Sequence, residues 1–174
     1  MNVPESLDGR IGEAWAGEVP NGIHVNVVLA RRGSPAAAAA IGALASPSPG
    51  HVPFLAALEG GRMIRPPTIV VNKTTLESEN LERLTWGAAQ LGIAQGVLDR
   101  VADGVLPADE AGELVVLVVV WVDPEGTDET AVRAAARTAT AAAIADAAAP
   151  PDAAEVEELA ARREGGSNRF YGGG

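Results

Sequence analysis

Only two side chains in this sequence have an ordinary pKa near neutrality, His24 and His51. His24 sits between Ile23 and Val25 in a valine-rich run, so strand alternation places it on one face with Asn26. An imidazole with a reference pKa of ~6.5 gives or takes a proton readily, which makes His24 the acid/base candidate. The plainer alternative is a strand histidine bonded to backbone or solvent. His51 follows Pro49-Gly50 and is expected to be an exposed loop residue. Lys73 is the only lysine, every other basic side chain being an arginine. It ends a β-branched run and precedes Thr74-Thr75, which puts an ammonium beside two hydroxyls at a sheet edge. Such a group holds a carboxylate, carbonyl or phosphate oxygen, although an ordinary solvated lysine has the same local sequence. Gln90 closes Gly87-Ala-Ala-Gln90, with its amide facing either a pocket or solvent. The expectation is a pocket for a small polar ligand around His24, Lys73 and Gln90.

Composition narrows the chemistry. The formal charge of -10, from 13 basic and 23 acidic residues, repels phosphate backbones and anionic membrane surfaces, so neither nucleic acid nor membrane is expected as a partner. The absence of cysteine excludes disulfides, thiolate nucleophiles and thiolate metal sites. Two separated histidines make no metal-ligand pattern, and no metal is expected. The spacing Gly87-x-x-x-x-Gly92 falls inside a helical pattern, unlike a phosphate-binding loop, which joins a strand to a helix. Asp109-Glu110 reads as a solvated face or helix start rather than a carboxylate dyad. Met1 to Arg10 has no apolar signal region, and the apolar run Leu114 to Val122 is too short to span a bilayer. A soluble, cytoplasmic protein is expected.

The elements that must position these residues are predicted as one core, the usual number for 174 residues. Gly12 to Val19 and Gly22 to Ala30 read as a hairpin turning at Pro20-Asn21. Ser34-Pro35 starts an alanine-rich helix to Ala45. Pro53 to Leu58 and Thr68 to Val71 read as strands, and a long helix runs from Ser78 to about Val101. Its interior glycines, Gly87, Gly92 and Gly96, point to close backbone packing. Leu114 to Val122 reads as a central strand buried on both faces. Thr127 to Thr130 caps a final alanine-rich helix to about Ala148, Glu155 to Arg163 extends as a charged helix, and Gly165 onward reads as a disordered tail. The fold class is α+β: a two-layer sandwich of a mixed sheet with helices packed on it. The expected organisation is an extension at 1–10, a domain at 11–148 and a charged, glycine-rich tail at 149–174.

Taken together, Gly12-Glu13-Ala14, Asn21-Gly-Ile-His24, Arg32-Gly-Ser-Pro35, Val71-Asn-Lys73 with Thr75, Trp86-Gly-Ala-Ala-Gln90 and Gly104-Val-Leu-Pro-Ala-Asp-Glu-Ala111 resemble the formaldehyde-activating enzyme family. The resemblance covers about Ile11 to Ala148. It implies a fold like the second domain of ribosomal protein S5 and a homopentamer with active sites between subunits. It also implies condensation of formaldehyde with tetrahydromethanopterin, or a related reduced pterin, to the methylene derivative and water. In that chemistry a pterin amine adds to formaldehyde, the carbinolamine loses water as its hydroxyl is protonated, and a second amine closes the iminium. By the same resemblance His24 is the general acid, and Asn26, Leu55, Lys73, Thr75 and Gln90 stand at substrate-binding positions. Asn26 departs from the aspartate of the family, and Arg133 to Thr140 is alanine-dominated where the family is tyrosine-rich. These departures leave open a non-catalytic homologue that binds a pterin or a one-carbon adduct, as a sensor or carrier.

Overall fold

The computed structural model describes residues 7–166. A five-stranded mixed sheet is ordered β1-β2-β7-β6-β3. Strand β1 (Arg10–Ala16) pairs antiparallel with β2 (Ile23–Arg31), and β2 pairs antiparallel with β7 (Leu114–Val122). The third neighbour, β6 (Thr68–Asn72), runs parallel to β7, and the short β3 (Phe54–Leu55) closes the far edge. Parallel neighbours need a long crossover. A continuous helical stretch supplies it here: α2 (Glu79–Arg83), a π-helical turn at Leu84–Ala89, and α3 (Gln90–Ala102). Helix α1 (Pro35–Ala45) follows β2, while α4 (Glu129–Ala148) and α5 (Ala153–Ala161) follow β7.

The helices begin where local hydrogen-bonding chemistry provides caps. Ser34 Oγ accepts from the Ala37 amide at 3.1 Å with proline at the first turn, and Ser78 Oγ accepts from the Leu81 amide at 3.1 Å. Asp128 accepts from the amides of Thr130 and Ala131 at the start of α4. The main core lies between one sheet face and the layer formed by α3 and α4, where Ile23, Val25, Val27 and Leu29 of β2 meet Val116, Val118 and Val120 of β7. Small residues bring backbones together. A methyl group at Gly12 would lie 2.1 Å from the Ala143 carbonyl oxygen of α4, and one at Gly92 or Gly96 would lie 2.2 or 2.6 Å from the carbonyls of Arg133 or Arg137.

The α+β sandwich is therefore the architecture expected, with β7 at its centre, but several details differ. β1 ends at Ala16, and the connection through Val19-Pro20 is longer than a tight turn at Pro20-Asn21. The segment Pro53 to Leu58 is not one strand. It breaks at the buried Ala56, after which β4 (Ala57–Glu59) forms a separate ribbon with β5 (Arg62–Met63). A methyl group at Gly87 would meet nothing within 4 Å, so only Gly92 and Gly96 of the three helix glycines serve close packing. Asp109-Glu110, expected on a solvated face or at a helix start, lies in a short 3-10 turn, and Glu110 is buried there rather than solvated. The charged helix spans Ala153–Ala161, and Gly165 closes a short 3-10 turn; the rest of the expected tail, 167–174, lies outside the described residues.

One difference governs function. Strand β7 is buried on the α3/α4 side, but Leu117, Val119 and Trp121 on its other face are only half-buried. Helix α1 covers that outer face at one end alone, where Ala30, Ile69 and Val115 pack with Ala37 and Ala40. The other end of the outer face is open.

Candidate functional site

Strand pairing builds the site on this open end. Trp15, His24 and Trp121 form one cross-strand row, and Glu13, Asn26 and Val119 form the next. Ile69 and Val71 of β6 share this face, and the period of two carries it to Lys73 just past the strand end. The Lys73 amide donates to the Val120 carbonyl at 2.7 Å, fixing the residue beside the row that holds His24. Thus the strand parity that buries Ile23, Val25 and Val27 turns His24 and Asn26 outward.

The polar groups are directly bonded. Lys73 Nζ lies 2.5 Å from His24 Nδ1, and His24 Nε2 lies 3.3 Å from Glu13 Oε2. An ammonium can only donate, so Nδ1 is the accepting nitrogen and the neutral imidazole carries its proton on Nε2, donating to Glu13. Asn26 Nδ2 donates to the same Glu13 oxygen at 3.0 Å. The Trp15 ring stacks on the imidazole, with centroids 4.0 Å apart and planes 22° apart, and is tilted against Trp121 at 5.7 Å. The His24 side chain is 13% exposed, against 63% for Glu13.

Electrostatics follow from these contacts. Burial, then the neighbouring Lys73 ammonium, push the His24 pKa below its ordinary value, and the Glu13 carboxylate opposes both. Burial also lowers the Lys73 pKa, again opposed by Glu13. The arrangement is a short proton relay, in which a weakened ammonium faces an accepting imidazole whose other nitrogen is anchored on a carboxylate.

The six residues singled out from sequence are distributed over more than one region of the chain. His24, Asn26 and Lys73 are joined as described. Thr75 shares a cavity of about 640 Å³ with Lys73, Thr74, Glu77 and His51. Leu55 lines a groove of about 360 Å³ with Ile41, Leu44 and Met63 on the α1 side. Gln90 belongs to the helical layer, where its amide donates to the Ala57 carbonyl at 2.8 Å and it lines a cavity of about 550 Å³ with Arg83, Gly87 and Arg133. His51, expected to be exposed, is half-buried; its Nδ1 donates to the Asn72 carbonyl at 2.7 Å. Asn72 itself holds the loop through donation to the carbonyls of Gly50 and Thr74.

Sequence reasoning missed Glu13 as a site residue, and with it the aromatic pair Trp15 and Trp121. The signal was available in the hairpin: pairing β1 with β2 places Glu13 opposite Asn26 and Trp15 opposite His24. Alternation within β2 alone does not reveal it. Among the described residues, no group of three or more His, Asp or Glu side chains is gathered as a metal ion would need. No helix among them is long and apolar enough to cross a membrane.

Comparison with known proteins adds an independent line. The family model for formaldehyde-activating enzyme matches residues 11–170. The chain is 37% identical over 130 residues to 5,6,7,8-tetrahydromethanopterin hydro-lyase of Methanosarcina barkeri, covering 75% of this chain and 73% of that protein. It is 36% identical over 123 residues to the bifunctional enzyme Fae/Hps of Archaeoglobus fulgidus, covering 71% of this chain and 31% of that protein. The bifunctional enzyme Fae/Hps of Methanothrix thermoacetophila is 31% identical over 122 residues, with 70% and 31% covered. The chain thus spans about a third of the length of these bifunctional relatives.

Proposed function

This chain belongs to the formaldehyde-activating enzyme family, and from that premise we propose that it condenses formaldehyde with tetrahydromethanopterin, or a related reduced pterin, to the methylene derivative and water. The observation that carries the reading is the bonded row of Lys73, His24 and Glu13 on the open half of the sheet. Loss of water from a carbinolamine needs a proton delivered to its hydroxyl. In this reading His24 delivers it as general acid, after drawing it from Lys73 through Nδ1. Glu13 holds the imidazole in place and balances its charge once it is protonated.

The role of Glu13 favours catalysis over binding alone. Asn26 lacks the charge of the family aspartate, but its amide donates to the Glu13 carboxylate, so a negative group still faces His24. Leu55, Thr75 and Gln90 are assigned to pterin binding by the resemblance. Thr75 shares a cavity with Lys73, whereas Leu55 and Gln90 lie apart from His24 within one chain, which supports a site completed by a neighbouring copy, as in the homopentamer that the resemblance implies. The open sheet face suits such a neighbour: Ile11 is 70% exposed and Trp15 38% exposed there. The proposed setting is the cytoplasm, with no metal required for this proton chemistry.

The test is the condensation itself, measured with formaldehyde and several reduced pterins. The expected result is a rate above the spontaneous one that falls about 100-fold in His24→Ala, the lower range for a positioned acid. Pterin binding by calorimetry with no acceleration by the wild-type protein overturns the catalytic reading in favour of a binding homologue.

A further inference from the structure

Beyond holding substrate, the geometry points to Lys73 as a covalent carrier of the one-carbon unit; we propose that its amine takes formaldehyde as an iminium and passes the methylene group to the pterin. This rests on the formaldehyde chemistry proposed above. Three observations carry it. Lys73 is the only lysine of the chain. Its Nζ is held against His24 Nδ1, an acceptor whose opposite nitrogen is backed by Glu13. Lys73 also lines the cavity of about 640 Å³ shared with Thr75, so the residue borders space large enough for a small aldehyde. An arginine would supply the positive charge equally well, but its guanidinium stays protonated and is a poor nucleophile, whereas a lysine amine adds to a carbonyl and then loses water.

The steps balance. His24 Nδ1 takes a proton from the Lys73 ammonium, leaving a free amine and an imidazolium supported by Glu13. The amine nitrogen attacks the formaldehyde carbon as the carbonyl π bond opens onto oxygen, and proton transfer from nitrogen to oxygen gives the neutral carbinolamine. The imidazolium then protonates that hydroxyl, the carbon–oxygen bond breaks, and water leaves. Lysine ammonium plus formaldehyde has become a lysine methylene-iminium plus water, with one positive charge on each side. A pterin secondary amine attacks the methylene carbon; after its proton moves to the lysine nitrogen, the lysine–carbon bond breaks and the pterin iminium forms. The second pterin amine closes on that carbon and gives its proton to Lys73, which returns to the ammonium. The lower lysine basicity caused by burial assists both the first step and the release of the amine.

The sequence makes the experiment unusually clean, because the α-amine is the only other primary amine in the chain. The full-length protein is incubated briefly with ¹³C-formaldehyde, reduced with borohydride, digested, and read by mass spectrometry. The expected result is labelled methylation of the Lys73 peptide, formed about 100-fold faster than in His24→Ala, whose lysine lacks the positioned base. Tetrahydromethanopterin added before reduction is expected to discharge the label from Lys73. Lys73→Arg, which keeps the charge, is expected to keep its fold by circular dichroism and to lose accelerated condensation. If the wild-type protein accelerates condensation but Lys73 is not trapped, or if Lys73→Arg keeps the wild-type rate, the covalent role is overturned while the proposed function stands. If condensation is not accelerated, the proposed function fails; trapping that is slow and insensitive to His24→Ala then overturns the carrier role as well, whereas fast His24-dependent trapping upholds the iminium on its own.

Discussion

At the scale of single residues, the site depends on which charge faces each nitrogen of His24. Glu13 is the group that opposes the fall in the His24 pKa, through both its charge and its hydrogen bond. Glu13→Gln is therefore expected to move the His24 midpoint farther below the ordinary value of ~6.5, and Asn26→Asp, which adds a carboxylate beside it, to move it upward. An NMR titration of the imidazole carbon-bound protons measures both shifts. The sign extends to stability. A histidine with a lowered folded-state pKa binds fewer protons folded than unfolded, so it costs nothing above the ordinary value and destabilises the fold as pH falls below it, until the folded pKa is passed. Glu13→Gln is expected to widen that window toward lower pH, visible as a steeper loss of melting temperature on acidification.

The elements themselves were mostly legible in the sequence, for identifiable reasons. Ser34-Pro35 announced a helix through a cap that needs only neighbouring residues, the apolar spacing from Ser78 onward announced a second, and the unbroken run Leu114 to Val122 announced the central strand. His24 and Asn26 were placed on one face by alternation alone. What stayed hidden depends on partners distant in sequence. The break at Ala56 arises because Phe54 and Leu55 pair with β6, whereas Ala57 and Glu59 pair with β5. Glu13 became a site residue only when register was known. The glycines show the same limit, since their spacing suggested three close approaches and the fold uses two. Gly92→Ala is expected to destabilise by about 2 kcal/mol or more, because the added methyl meets the Arg133 carbonyl of the facing helix. Gly87→Ala, facing open space, is expected to be neutral or stabilising by up to about 1 kcal/mol. Urea unfolding of the two variants checks the contrast.

At the scale of the whole molecule, the uneven covering of the sheet is the leading feature. One face is sealed by α3 and α4, whereas α1 protects only an end of the other. The proposed homo-oligomer gives that exposed half a partner and brings Leu55 or Gln90 of one copy toward His24 of another. Ile11→Glu, at a 70% exposed position of the open face, is expected to dissociate the assembly and abolish accelerated condensation while leaving the circular dichroism spectrum unchanged. Light scattering beside the activity assay makes the comparison; an unchanged mass with full activity removes this face from the interface.

Helix α4 contributes no group to the proton relay, yet it sets the alignment of the strand that carries Glu13. Gly12 brings β1 against the α4 backbone, Gly92 and Gly96 bring α3 against it from another side, and the Glu13 amide donates to Asp146 of the same helix at 3.1 Å. With neighbours this close, α4 acts as a fixed reference edge against which the first strand is registered. Tolerance in the relay is thus decided on the far side of the sheet: a bulkier residue at Gly12 displaces Glu13 from His24 without altering a single reacting group.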